Sequence, residues 1–545
     1  MEAAAPRVFS SIGTEEERTA EAKRISVAFW LITVTMVANS IADFGWSSNL
    51  IAFFINKLNI GAIAATQINY FILGCNNFFV ILGYIAADSF SNLVSLITVS
   101  TFISFLGMIM LTITSSIKLP SNVYSWGAVF ISTTLASLGG ACTRFTIENL
   151  GIGQFDREQK NAALNMIFTR AFTFLIAFAL SFTVMVYIYD NVSWCLGFGI
   201  CAIANAIALV VFLSGRRFYC QTKQYGGPFT SIPRVLREIL WSHNFQEENC
   251  YLGDTITKVQ NFRCVNGLVT KWRRLFTVEE VEDLKTLIKT MPLWPSDMIL
   301  FACMSMHRGL TVLQARAIGN WNWNSGGNST SNVSPASCLM FNLGGIFAGY
   351  MFGIIPCMFI TGKATSRRPL RLVASSHVFI IIAMVLSALV EPARRRFGDS
   401  SLGTEAKSSW LELQLIILGC GQCFYMIGQS ILYTREFPCS ALTVSASIYA
   451  LLSGFGYHIS AVITGLLLAF TGWLPDDINH GRLDYVFWML AVLAVLNFGY
   501  FQICAANYKY LIALDEDDDG AFASKFTFSR VIDMFGFDHY GYILA

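Results

Sequence analysis

The chain has 545 residues, of which 54% are hydrophobic and only 13% are charged. So few charges cannot give most helices a solvated face, which excludes an ordinary soluble protein. The formal net charge of +2 offers no global field to attract nucleic acid.

Residues 1–25 are polar, with Glu15, Glu16, Glu17, Arg18, Lys23 and Arg24 ahead of the first apolar run. A secretory signal begins instead with a short basic stretch and a brief apolar core, so the first span is expected to serve as its own insertion signal. Runs of roughly 20 apolar residues, enough to cross a bilayer, follow near 26–55, 66–91, 93–115, 123–143, 162–189 and 194–213. A polar stretch occupies 214–292, and further runs lie near 294–313, 337–360, 373–390, 410–433, 444–472 and 485–505. The pattern predicts an all-α membrane protein of about twelve spanning helices in two six-helix bundles. The predicted divisions are 1–25, a bundle over 26–213, a cytoplasmic linker over 214–292, a bundle over 293–505, and a cytoplasmic tail over 506–545.

The linker is basic, with Arg216, Arg217, Arg234, Arg237, Arg273 and Arg274 among others, and basic loops stay on the cytoplasmic side. It ends in an amphipathic stretch, Val278 to Lys289, suited to lying along the membrane surface. Lys363, Arg367, Arg368 and Arg371 agree with this orientation, which puts the sequons at Asn191, Asn328 and Asn332 outside. Arg394, Arg395 and Arg396 dissent, because they follow the ninth span on the expected outer side. The acidic run Asp515 to Asp519 reads as a solvated tail. The 14 cysteines are scattered through apolar stretches as small buried residues. Cys420 and Cys423 have no His or carboxylate nearby in sequence, so packing is expected there and not a metal site.

Charges inside spans are costly and face a cavity or a partner. Asp43, Asp88, Arg144, Glu148, Arg170, His307 and Arg308 all stand in or beside spans. Arg144 and Glu148 are one helical turn apart, a spacing that permits direct pairing. Two readings remain open at this point. The charges pair internally and fix helix packing, or Arg144, Arg170 and Arg308 form a cationic lining that favours an anion over a cation. His307 titrates near neutral pH when unperturbed, but a His beside Arg more often serves as a hydrogen-bonding group. No nucleophile–base pair, phosphate loop or metal cluster is legible, so neither an enzyme nor a cofactor is expected.

Several stretches, in order, carry a family resemblance. They are Gly45–Leu50 (G-W-S-S-N-L), Ala86–Phe90 (A-A-D-S-F), Gly153–Asp156 (G-Q-F-D), Val186–Ile200, Phe212–Tyr219, Glu279–Trp294, Arg435–Pro438 (R-E-F-P) and Trp473–Trp488. Over nearly its whole length the chain resembles the plant nitrate and peptide transporter family, within the proton-dependent oligopeptide transporter superfamily. The resemblance implies the major facilitator fold. It also exposes departures. The acid–acid–base motif that members carry on the first helix falls here at Met36, Asn39 and Ser40, all without ionisable groups. The usual Glu of the tenth helix is Gln422, the Arg of a cytoplasmic A-D-x-x-x-G-R signature is lost around Ser91 and Asn92, and the Lys of the fourth helix corresponds to Arg144. A His that a dual-affinity nitrate transporter of the family carries on the seventh helix falls at Met304.

Loss of the first-helix motif is similar to the nitrate excretion branch, at plasma membranes. The resemblance therefore implies a small inorganic anion, nitrate first, moved passively or outward at low affinity by two rocking bundles. Arg144, Arg170 and Arg308 would attract it, with neutral hydrogen bonds from Asn165, Tyr70 and Gln314, and Glu148 is a possible substitute proton site. Chloride, a larger anionic metabolite such as a glycoside, and a non-transporting sensor of the same fold are the rival readings.

Overall fold

The computed structural model describes residues 15–89, 92–117, 123–154, 162–220, 285–318, 335–354, 369–396, 404–436 and 441–508. Most of the linker, the acidic tail, Asn328, Asn332, Lys363, Arg367 and Arg368 lie outside these residues. Among the described residues there are helices and no strands.

The helices are α1 (Glu15–Ser47), α2 (Leu50–Leu58), α3 (Ala62–Ser89), α4 (Leu93–Ser116), α5 (Val123–Ile152), α6 (Ala162–Leu180), α7 (Val186–Asn191) and α8 (Trp194–Ser214). They continue with α9 (Trp294–Ala317), α10 (Leu339–Ala348), α11 (Pro369–Arg396), α12 (Thr404–Glu436), α13 (Ala441–Phe470) and α14 (Leu483–Asn507). A π turn at Ser181–Met185 joins α6 to α7.

Eleven stretches of the described residues are long and apolar enough to cross a membrane. The fourth expected span is not among them. Its helix, α5, is 30 residues long, but Ser, Thr and Gly dilute the apolar residues of 123–143, Ser132, Thr133, Thr134, Ser137, Gly139 and Gly140 among them, and Arg144 and Glu148 follow. The first span is shorter than the expected 26–55, since its apolar part ends at Ser47. The G-W-S-S-N-L motif explains the break. Ser47 Oγ donates to the Asp43 carbonyl and Ser48 Oγ to the Gly45 carbonyl, both at 2.8 Å, and such back-bonding competes with the helical ladder. Asn49 Nδ2 then donates to Asp190 Oδ1 at 2.9 Å and anchors the corner. Asn92, at the signature that lost its Arg, caps α4 by accepting from the Ser95 amide.

The chain forms two compact units. The first comprises described residues of Met1–Ile60 and Cys75–Gln224, and the second those of Gly61–Gly74 and Tyr225–Ala545. In the first unit α4 packs against α5 and α8, and α1 against α6 and α8. Lipid supplies no hydrophobic drive between helices, so close packing and hydrogen bonds must hold them. At the α4–α5 seam Gly107 and Gly139 each lie directly on the partner's backbone, and Thr143 Oγ1 donates to Ser100 Oγ at 2.9 Å.

In the second unit α12 packs against α10 and α11, α11 against α14, and α9 against α13. Helix α9 is buried along most of its length, so its charges face protein rather than lipid. Two of the arginines that dissented from the charge pattern, Arg394 and Arg395, are bound and not free loop charges. Arg394 Nε and Nη2 each bond Glu391 at 2.8 Å, and Arg394 Nη1 reaches Asn479 Oδ1 at 2.9 Å. Arg395 Nη2 pairs with Asp484 Oδ1 at 2.6 Å. Asn479 and Asp484 belong to the Trp473–Trp488 motif, whose turn is held by the Arg482 amide on the Trp473 carbonyl.

Candidate functional site

In the first unit two arginines spend their charge on carboxylates from other helices. Gly140 has no Cβ, which lets the Asp43 carboxyl of α1 lie against α5. Asp43 Oδ2 stands 3.6 Å from Arg144 Nη2, one turn further along α5. Glu148 Oε2 pairs with Arg170 Nη1 of α6 at 3.4 Å. Arg144 and Glu148 therefore take partners across helices, and the direct pairing that their spacing permits is not the one formed. Two cations stand against two anions, so the lining of three free arginines reduces to one. Met36 and Asn39 are buried in α1, and Ser40 is half-buried. Asn165 lies in α6, and its side chain and that of Asp88 lie outside the described ones.

The second unit brings five polar side chains from five helices together. Arg308 of α9 is half-buried. Its Nη1 donates to Gln422 Oε1 of α12 at 3.4 Å, and its Nη2 donates to the hydroxyl of Tyr457 of α13 at 3.2 Å. Gln422 Oε1 also accepts from Asn342 Nδ2 of α10 at 3.2 Å, while the Asn342 oxygen is buried without a partner. Tyr70, at the start of α3, donates to the Met306 carbonyl at 3.3 Å. It lies close against α9 because Gly309 has no Cβ for its hydroxyl to strike.

Every contact to Arg308 is neutral and long, and among the described residues no carboxylate pairs with it. Ordinary N–H···O bonds cluster near about 2.9–3.0 Å. The guanidinium is thus held in place without being neutralised. A guanidinium so placed offers spare donors in a fixed planar fork, which suits a planar oxyanion. The position where the family's Glu would stand is Gln422, directly against Arg308. The amide keeps the hydrogen bond and removes the countercharge.

Two expected contributors lie elsewhere. Gln314 is fully buried. Its Nε2 donates to Glu391 Oε2 at 2.7 Å and its Oε1 accepts from Gln414 at 3.1 Å, so its amide is committed to the Glu391–Arg394 network. His307 is buried with Nε2 on Ser387 Oγ at 2.7 Å and Thr311 Oγ1 3.4 Å from Nδ1, the hydrogen-bonding role. Met304 is buried in α9. Sequence reasoning missed Tyr457 and Asn342, since a Tyr or Asn in an apolar helix carries no signal until its neighbour is known. It also missed Asp297, Glu391 and Asp484, which stand near span ends.

The family pattern described as the POT family matches residues 94–478. Protein NRT1/PTR FAMILY 2.3 of Arabidopsis thaliana is 32% identical, covering 90% of this chain and 94% of that protein. Protein NRT1/PTR FAMILY 2.7 of the same plant is 33% identical with the same coverages, 90% and 94%. Among solved structures, an auto-inhibited POT family peptide transporter matches with a TM-score of 0.68 at 15% identity, over 90% of this chain and 98% of that one. A POT peptide transporter in complex with sulfate matches with a TM-score of 0.61 at 15% identity, over 88% and 95%. These likenesses show the fold, an all-α membrane transporter fold of the major facilitator type.

Proposed function

The chain belongs to the POT family of membrane transporters, and from that premise we propose that it carries a small inorganic anion, nitrate first, down its electrochemical gradient. The observation that carries the reading is Arg308, an intramembrane guanidinium whose partners are Gln422 and Tyr457, both neutral. One uncompensated positive charge matches one monovalent anion. The loose neutral contacts suit weak binding, which an anion needs in order to leave. Asn342 and Tyr70 supply the neutral surroundings. Arg144 and Arg170 are held in ion pairs, and we assign them a secondary part. A peptide would need partners for both its amine and its carboxylate, and the acids that would hold the amine are replaced at Met36, Asn39 and Gln422.

The same substitutions support transport without the usual proton route, because no carboxylate remains at the first-helix positions. We retain Glu148 as a lesser proton candidate, since its carboxylate already stands against Arg170. We further propose the plasma membrane as the site of action, on the resemblance to the nitrate excretion branch, with the bundles at 26–213 and 293–505.

The test is Arg308→Gln in a flux assay with nitrate and chloride. A charge-assisted hydrogen bond is worth roughly 1.5–3 kcal/mol, so a loss of about tenfold or more is expected. Unchanged nitrate flux in a variant with normal surface expression would remove Arg308 from the pathway.

A further inference from the structure

Helix α9 holds a second charged side chain that the anion site does not use. Asp297 is fully buried. Asp297 stands in the first turn of α9, which is joined to the helical residues from Lys285 through a 3-10 turn at Met291–Leu293. Oδ2 accepts from Gln429 Nε2 of α12 at 2.8 Å, and Oδ1 has no hydrogen-bond partner. No cation pairs with it among the described residues.

The groups around it are neutral. From α12, Tyr425 and Tyr433 are within electrostatic reach. Tyr425, one turn before Gln429, turns its buried hydroxyl toward the carboxyl and has no other hydrogen-bond partner. From α13, Tyr449 stands edge-on to Phe301. From α11, His377 is occupied on both nitrogens, by Ser296 Oγ at 3.1 Å and the Val373 carbonyl at 2.9 Å. From α14, Asn497 donates to the Ser296 carbonyl. Lys289, further down, pairs with Glu436 at 3.1 Å.

An ionised carboxylate here exchanges its hydration for neutral donors alone, an amide and a phenol, with no cation against it. Either form can use Gln429 on one oxygen and the Tyr425 hydroxyl on the other, but only the neutral acid does so without leaving a buried charge that no cation offsets. We propose that Asp297 is a proton-binding site, occupied while α9 and α12 are closed on each other and emptied only when that seam opens to water. The same two helices carry the anion site. Asp297 and Arg308 are about three turns apart on α9, and their partners Gln429 and Gln422 are about two turns apart on α12. Opening the seam at one contact loosens the other. The proton returns to the side it came from, so it sets the rate at which Arg308 is exposed and adds nothing to the driving force.

The conservative variant is Asp297→Asn, which mimics the protonated acid. Infrared spectra of the purified full chain at neutral pH test the site without any anion. A protonated-carboxyl carbonyl band is expected in the wild type and absent from Asp297→Asn, whereas identical spectra overturn the proposal. In liposomes with equal pH on both sides, wild-type nitrate flux is expected to be several-fold higher in alkaline than in acidic buffer, as the acid gives up its proton more often and the seam opens. The Asn variant is expected to stay flat at the low-pH rate. A pH dependence that survives the Asn, or a wild type with none, overturns it as well. Failure of the infrared arm leaves the nitrate reading untouched.

Discussion

Arg308 differs from Arg144 and Arg170 in the company it keeps. All three are arginines on apolar helices, and in sequence they look alike. Arg144 stands against Asp43 and Arg170 against Glu148, whereas Arg308 stands against an amide and a phenol. That difference was half legible. The loss of Glu at Gln422 could be read from the R-E-F-P motif, but its adjacency to Arg308 is a contact between helices, on which periodicity is silent. Restoring the acid tests the assignment. Gln422→Glu would put a carboxylate within ion-pairing reach of the guanidinium. At neutral pH we expect nitrate flux to fall about tenfold as Arg308 is neutralised. Below the new carboxyl's pKa the charge is removed, so flux is expected to recover as pH falls. Flux unaffected by the substitution at any pH would contradict the role of a free positive charge.

Helix α11 shows what a sequence pattern can misplace. Its three terminal arginines read as loop charges on the wrong side of the membrane. In the structure the helix continues to Arg396, and Glu391, fully buried, accepts from Arg394 and from Gln314. The Trp473–Trp488 motif, legible only as a family signature, proves to be the turn that supplies Asn479 and Asp484 to the same network. The carboxylate was hidden because charge counting weighs Lys and Arg and says nothing of their counterions. Breaking a buried pair by removing one partner leaves the other uncompensated, at about 3–5 kcal/mol. Glu391→Ala is therefore expected to lower the thermal stability of the purified protein markedly, with Glu391→Gln intermediate. A melting temperature equal to wild type would show that the network carries no net stability.

For the whole molecule, fold class was the most legible level. Spans of apolar residues and a basic linker gave a duplicated helical membrane protein, and the comparisons place it in the POT family. The exceptions are local and have physical causes: back-bonding serines shorten the first span, and Ser, Thr and Gly dilute the apolar half of α5. Energetics was less legible, since absent acids at Met36, Asn39 and Gln422 say what drives relatives and not what drives this chain. The central claim is a passive anion pathway, and equilibrium nitrate distribution tests it most directly. Liposomes containing the purified full chain are clamped at a fixed membrane potential, with and without a pH gradient. The account predicts a nitrate ratio set by the potential alone, about tenfold for each ~59 mV, and unchanged by the gradient even where pH alters the rate. A ratio that climbs with the imposed pH difference would contradict it.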